Sequence, residues 1–300
     1  MGLKKFIYRI VKNFKFLPKE LFLKIRYEYY TGKKLDLINP VEFNEKIQWL
    51  EMYYHVPILT QLADKYAVRE YVSQKIGKQY LNDLLGVYSN VSEIDFKSFP
   101  RRFVLKGTHG SSTNLIVEDK SQLNLVKVKK ELKKWMKHDQ YKKVGFEWAY
   151  KNIKPRIICE AFLEDDTTDH LIDYKFHCFN GKTKFVFISL DETAYNKHYF
   201  YDINWNKLAI SKSQKKSVPI KLEKPSNFDE MIHLSEILAD KLPFVRVDFY
   251  SIKGKTIFGE MTFYPVDGRK DFYPDKYNKI IGDYLELPKI PQGQKTITNY

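Results

Sequence analysis

Apolar residues recur along this chain with two different periods. In the first quarter the period is helical. Phe6, Ile10 and Phe14 share a stripe beside Leu3, Ile7 and Val11, Phe43, Ile47, Leu50 and Tyr53 form a second stripe, and Leu59, Leu62, Tyr66 and Val68 continue it, so helices are predicted up to residue 80. Beyond residue 100 the period shortens to two. Phe103–Lys106 and Leu115–Val117 predict short strands around the loop Gly107–Asn114, and Arg156–Phe162, Leu171–Phe179 and Lys184–Ile188 predict three more. Asn180-Gly181, between the last two, is the dipeptide that a tight hairpin turn favours. Helical spacing returns in a lysine-rich stretch over residues 121 to 138. It returns again over Ser226–Leu242, with Ser226 as cap, Asp229 three places on, and Ile232, Leu234, Ile237 and Leu238 turned inward.

The last alternating runs are Phe244–Tyr250 and Thr256–Thr262, with Lys253-Gly254 between them, an antiparallel hairpin. A three-residue turn, Lys253–Lys255, would set Ile252 opposite Thr256, Tyr250 opposite Phe258 and Asp248 opposite Glu260. Facing carboxylates repel unless a shared proton or a cation lies between them, and hard oxygen donors of this kind suit Mg²⁺ carried on a nucleotide's phosphates. The plainer reading has the acids facing water with Arg246 neutralising one, and a slip of one residue would separate the pair.

Composition adds the class of partner. Three hundred residues with 43% hydrophobic content suffice for a sizeable core in one large or two modest domains. Fifty-one Lys+Arg against 37 Asp+Glu leave a formal charge of +14, which favours anionic partners: nucleotides, phosphates, acidic glycans, anionic lipid or nucleic acid. Nucleic acid is set aside because the cations are dispersed and no recognised binding module occurs. Cys159 and Cys178 lie in apolar runs without metal-ligand spacing and predict a reducing compartment. Cations interrupt Met1–Phe14 too often for a secretory leader and no apolar run reaches spanning length, so a cytoplasmic location is expected. Residues 1 to 40 carry ten Lys/Arg against three Asp/Glu. Their amphipathic helix is a candidate for peripheral contact with an anionic membrane through residues 1 to 20; the alternative is a helix packed on its own domain with solvated lysines.

Several polar residues stand where a bare core would not keep them. Lys106 ends a strand and precedes a loop of two glycines, two serines and two threonines, in which backbone N–H groups can approach phosphate oxygens while the lysine supplies charge. Small polar loops between strands are also ordinary turns, and this one is not a Walker sequence. Lys175 sits mid-strand and must reach the surface or face an anion, Asp173 or a bound phosphate. Glu160 interrupts an apolar strand, where it or the backbone after it could meet a base's amino group. His109 could touch phosphate or substrate, although a histidine in a polar loop is usually just solvated.

The order of these parts resembles the ATP-grasp fold over roughly residues 60 to 285. More closely, Phe43-Asn-Glu-Lys46, Ala63-Asp-Lys65, Val104–Ser111, Asp173-Tyr-Lys175, Val245–Tyr250 and Gly259-Glu-Met-Thr262 resemble the TupA-like ATP-grasp family, associated with teichuronopeptide and surface-polysaccharide synthesis and often labelled glycosyltransferases. The resemblance implies an α+β fold in which two lobes clamp Mg-ATP. It implies a basic helical region over 1–58, a small lobe within 59–164, a large lobe over 165–290 and a tail over 291–300. By position, Lys106 and Lys175 would hold phosphates, with Lys65 as a further contact. Thr108, His109, Gly110, Ser111 and Ser112 would cover them, and Glu160, Ala161, Phe162 and Leu163 would meet adenine. Asp248 and Glu260 would bind Mg²⁺. Thr262 stands where many relatives carry Asn; its hydroxyl can ligate the ion or hold its water. Glu164, Asp165 and Asp166 are alternatives for the ribose-binding acid. The implied reaction is ATP-dependent carboxylate–amine ligation through an acyl phosphate. Arg246 and Arg269 are candidates to hold an anionic glycan or uronic acid acceptor, with an amine or amino acid as second substrate. A kinase acting on a sugar hydroxyl is the first alternative. A glycosyltransferase is another, but it would want a metal-binding Asp-x-Asp, which neither Asp271 with Asp275 nor Asp165-Asp166 supplies.

Overall fold

The computed structural model describes residues 3–143, 145–164, 171–190, 198–214 and 220–299. Its helices are α1 (Leu3–Val11), α2 (Lys19–Thr31), α3 (Phe43–Tyr53), α4 (Ile58–Ala63), α5 (Val68–Lys75), α6 (Leu125–Met136), α7 (Gln140–Lys143), α8 (Phe228–Ala239) and α9 (Lys276–Asp283). Its strands are β1 (Leu84–Tyr88), β2 (Phe103–Gly107), β3 (Asn114–Val117), β4 (Ile157–Ala161), β5 (Asp173–Phe179), β6 (Lys182–Ser189), β7 (His198–Asp202), β8 (Phe244–Ile252) and β9 (Lys255–Thr262). They form two antiparallel sheets, one ordered β1-β4-β2-β3 and the other β7-β6-β5-β8-β9.

Each sheet has its own core. The four-stranded sheet buries Phe103, Leu105, Val117, Ile157 and Cys159 against Val128, Leu132 and Trp135 of α6. The five-stranded sheet buries Phe176, Val186, Val247, Phe249 and Met261, and in the same cluster lie Phe22 and Tyr27 of α2, Phe43 and Ile47 of α3, and Met231 and Leu238 of α8. Helices from the start of the chain thus pack with strands from its end, which local periodicity does not reveal.

Two strands escape the sequence pattern for opposite reasons. β7 has four buried residues in succession, so it shows no alternation, while β1 is an edge strand whose register shifts at Gly86 and whose residues are mostly half-buried. Ser226 does not cap α8. The helix starts after Asn227, whose amide donates to Thr256 Oγ1 (2.8 Å) and whose carbonyl accepts from Ser251 Oγ (2.7 Å), tying α8 to the hairpin. Phe228, Met231, Leu234 and Leu238 face inward, whereas Ile232 and Ile237 are half-buried. The lysine-rich helix begins at Leu125, capped by the Asn124 side chain, because Lys120–Gln122 form a separate 3-10 turn. Cys159 and Cys178 are buried free thiols, each pushed up to about 12 by burial. Among the described residues no helix is long and apolar enough to cross a membrane.

Candidate nucleotide and metal cleft

Two facing positions in an antiparallel pair share a side of the sheet, so the register of the five-stranded sheet determines which side chains meet. One row across its cleft face is Lys175 on β5, Asp248 on β8 and Glu260 on β9. The next row toward the strand end is His198, Ser189, Asp173 and Tyr250, and the row on the other side includes His177, Arg246 and Thr262.

The Asp248–Glu260 pairing arises differently from the expected three-residue turn. The turn has two residues, Lys253 (φ 52°) and Gly254 (φ 77°), so Ile252 faces Lys255, Tyr250 faces Ile257 and Phe249 faces Phe258. That register would place Gly259 opposite Asp248 and turn Glu260 to the other side. A bulge between Asp248 and Phe249 on one strand and Phe258 and Glu260 on the other inserts Gly259 as the extra residue and returns Glu260 to the cleft. A side chain at 259 would crowd the Asp248 carbonyl, 3.1 Å from an added Cβ.

Charges alternate along the cleft floor. Asp173 pairs with Lys175, and Lys175 Nζ donates to Asp248 Oδ2 (3.1 Å). Arg246 grips Asp248 with two bonds, Nε to Oδ1 (2.7 Å) and Nη2 to Oδ2 (2.6 Å), and its Nη2 also reaches Glu260 Oε1 (3.2 Å). Lys65 Nζ lies 3.3 Å from Glu260 Oε2 and donates to the Gly110 carbonyl (2.9 Å), so the loop after β2 is tied to the hairpin. Desolvation pushes the Glu260 carboxyl up, but Lys65, Arg246 and Lys175 outweigh it and hold the group at about 2. For Asp173 desolvation wins, aided by Asp248, and the carboxyl rises to about 6. Burial opposes the charge on Lys175, yet Asp173 and Asp248 raise its pKa above the ordinary lysine value.

This floor lines a cleft of about 490 Å³ whose other walls include Lys65, Lys106, Ser112, Asn114, Phe187 and Val266. Lys106, Asn114 and Tyr250 also line an adjoining chamber of about 540 Å³, walled by Val104, Ile116, Arg102 and residues 160 to 164. The first chamber is lined mainly by charged side chains. The second mixes apolar walls with Arg102, Glu118, Glu160 and Glu164, Arg102 being stacked over Phe162 at 4.0 Å and joined to Glu164 Oε2 at 2.5 Å.

Lys65, Lys106, Lys175, Arg246, Asp248, Glu260 and Ser112 meet in the charged chamber, and Glu160, Ala161, Phe162, Leu163 and Glu164 in its neighbour. Other candidates are placed elsewhere. Thr108 and His109 are buried, His109 Nε2 lying 2.9 Å from the Trp135 carbonyl under α6, so neither lines the cleft. The Gly110 carbonyl is taken by Lys65, and Ser111 points to solvent. The Glu160 carboxylate is occupied by Lys106 (2.7 Å) and Arg69 (3.2 Å), which leaves the backbone after it to meet a base. Arg269 sits on Asp267 (2.5 Å) and over the Tyr30 ring, outside the cleft lining. Thr262 donates to Glu260 Oε1 (3.3 Å). Asp165 and Asp166 lie outside the described residues. Sequence reasoning missed Asn114, Tyr250, Phe187, Ser189 and His198. Tyr250 was within reach, being two residues from Asp248 on an alternating strand, but Ser189 emerges only from the β5–β6 register.

The residue types suit a hard divalent cation held partly by phosphates, which would have to displace the Arg246, Lys175 and Lys65 contacts that now occupy both carboxylates. Asp248 and Glu260 supply facing carboxylates, and Asp173 Oδ1 is buried without a hydrogen-bond partner. Among the described residues no three His, Cys, Asp or Glu side chains cluster closely enough to hold an ion by themselves.

The family model described as TupA-like ATPgrasp matches residues 45–286. Among solved structures the chain is similar to an L-amino acid ligase from Bacillus licheniformis (TM-score 0.46, 11% identity, covering 85% of this chain and 58% of that one). It is also similar to D-Alanine-D-Alanine ligase from Helicobacter pylori (TM-score 0.43, 14% identity, 84% and 68%) and to D-alanine--D-alanine ligase from Bacillus anthracis complexed with ATP (TM-score 0.38, 13% identity, 69% and 55%). The chain therefore spans between about half and two thirds of the length of these structures. Among curated proteins, none matches.

Proposed function

Because the chain belongs to the TupA-like ATP-grasp family, we propose that it is an ATP-dependent carboxylate–amine ligase of surface-polysaccharide synthesis, joining an amine or amino acid to a uronic acid of an anionic glycan. The observation that carries this reading is the pair of adjoining chambers, one lined mainly by charged side chains and one that adds apolar walls, with Lys106, Asn114 and Tyr250 at their boundary. Adenine fits beside Ala161, Phe162 and Leu163, which sends the triphosphate past Lys106 toward Lys175, Lys65 and the facing acids. Asp248 and Glu260, with Thr262 beside them, would hold Mg²⁺, which when bound offsets phosphate charge.

The protein's own groups then do electrostatic work. Lys106 and Lys175 hold the phosphates against the acceptor carboxylate, and Arg246 draws that carboxylate into line. The terminal phosphoryl passes to the carboxylate oxygen as its bond to ADP breaks, and the incoming amine attacks the acyl phosphate, expelling phosphate and losing a proton. Phe187 and Ser189 line the charged chamber but not the adenine chamber, a place suited to the acceptor. No protein nucleophile is needed. The cell location that suits this reading is the cytoplasm, at the membrane periphery.

The test is incubation of the purified protein with Mg-ATP and a panel of uronic acids and amino acids, followed by nucleotide and product analysis. ADP release that requires both partners, with an amide product, is expected. A stable phosphoester formed without amine would replace the ligase by a kinase, and consumption of a nucleotide sugar without ATP would replace it by a glycosyltransferase.

A further inference from the structure

Helix α1 is mounted with its apolar side out. Its contacts with α2 include polar and aromatic ones: Tyr8 donates to Glu28 Oε2 (3.3 Å), and Lys12, just past the helix, donates to the Tyr30 hydroxyl (2.9 Å) and sits over the Tyr29 ring. Meanwhile Phe6, Ile7, Ile10 and Phe14 remain 40–47% exposed, and Phe16 81%. A surface helix ordinarily does the reverse. Helix α6 of this same protein follows the rule beyond its first turn, burying Val128, Leu132 and Trp135 and leaving its lysines in water, while Leu125 and Val126 at its start are exposed. The outward apolar face of α1 is therefore a property of its mounting rather than of a lysine-rich sequence.

Charge says what covers that face. Residues 1 to 24 hold seven cations, Lys4, Lys5, Arg9, Lys12, Lys15, Lys19 and Lys24, against one acid, Glu20. Arg9 and Lys15 are exposed beside the apolar residues. A protein partner would need a matching run of acids around an apolar patch, whereas an anionic bilayer offers both layers everywhere: phosphates at the depth of the cations and acyl chains just below. Long basic side chains reach up to headgroups while Phe and Ile enter the boundary.

We infer that residues 3–16 form an interfacial anchor that seats the protein on an anionic membrane surface, with Phe6, Ile10, Phe14 and Phe16 inserted and Arg9 and Lys15 at the headgroups. The anchor is independent of the ligase reading, since none of these residues lines either chamber of the cleft.

The test is flotation of the full chain with vesicles of phosphatidylcholine alone or mixed with phosphatidylglycerol. Binding is expected only to the mixed vesicles and should weaken with added salt. The double variant Phe6→Glu/Ile10→Glu, and separately Arg9→Glu/Lys15→Glu, should each lower partitioning by at least about tenfold. Thermal unfolding and nucleotide turnover in solution should match the parent. A Phe16→Trp reporter should shift to the blue on mixed vesicles. Equal binding to neutral vesicles, binding that survives both double variants, or a concentration-dependent dimer that Phe6→Glu/Ile10→Glu abolishes while vesicles are ignored would overturn the anchor, the last in favour of a second copy of the chain.

Discussion

Among the described residues, two clusters of acids are built on opposite electrostatic plans, one on the cleft floor and one fully enclosed. On the cleft floor Asp173, Asp248 and Glu260 alternate with Lys175, Arg246 and Lys65, and Glu260 is held ionised at about 2. Behind the cleft wall Glu51, Glu147 and Asp267 gather near α3, and there the balance tips the other way. Burial, helped by Asp267, pushes Glu147 up to about 8 and Glu51 well above the ordinary range. Arg26 (3.3 Å) and Arg269 (2.5 Å) both spend their charge on Asp267, and Glu147 is left with the amide of Gln140 (3.0 Å). The first cluster lines a cavity large enough for phosphates. The second closes on itself: Gln48 donates to the Asp267 carbonyl (2.7 Å) and fixes the turn that presents Val266 to the cleft. Equal numbers of acids are thus compatible with a binding site or with a structural clamp, and the placement of cations decides which.

The comparison can be broken most severely at Asp248. Asp248→Asn leaves Arg246 and Lys175 short of a buried counter-charge, so turnover should fall by at least about 100-fold and stability by roughly 3 kcal/mol, read by ADP release and urea unfolding. Lys106→Ala should match the loss of turnover with a smaller loss of stability, since Arg69 still neutralises Glu160. Retained turnover in either variant would remove the cleft from the reaction.

Paired amide substitutions separate the clusters next. Glu260→Gln should weaken ATP binding by about tenfold or more, because a hard-cation ligand is lost, while Glu147→Gln, which copies a group already protonated at neutral pH, should bind as the parent does. Calorimetric titration of both variants measures this directly.

A pH series follows from the same values. Glu147 has a raised folded-state pKa, so the stability it contributes is complete below the ordinary value of 4.5, declines as pH rises and is exhausted above about 8. Glu260 has a depressed one, so its contribution is present above 4.5 and lost as pH falls toward about 2. Glu147→Gln should therefore flatten the alkaline side of the stability profile and Glu260→Gln the acid side, as read by thermal unfolding. The smallest effect is expected at Arg102→Ala in the neighbouring chamber. Losing its stack on Phe162 should raise the KM for ATP by a few-fold, about 1 kcal/mol or less, with kcat unchanged.

How much of this was written locally can be judged residue by residue. The alternating runs of β5, β6, β8 and β9 were legible because one face of each meets a core and the other a cleft or solvent. Sequence spacing alone pairs Asp248 with Glu260 through a turn one residue too long. The shorter turn and the Gly259 bulge offset each other, and no periodic pattern encodes such a cancellation. His109 looked like a loop histidine, yet it is buried under α6 because that helix folds back over the loop, a contact between positions 26 residues apart. Arg269 reads as an acceptor-binding cation, but its own turn sets it on Asp267, two residues back, and Tyr30 of α2 covers its guanidinium.

The sequence by itself determined the strand and helix alphabet, the excess of positive charge and the motif order that marks the family, because each depends on neighbours within a few positions. Tertiary structure alone decided which carboxylates stay ionised and which way α1 faces. Both depend on burial and on the distance to charges or side chains supplied from elsewhere in the chain, and no local period records either quantity.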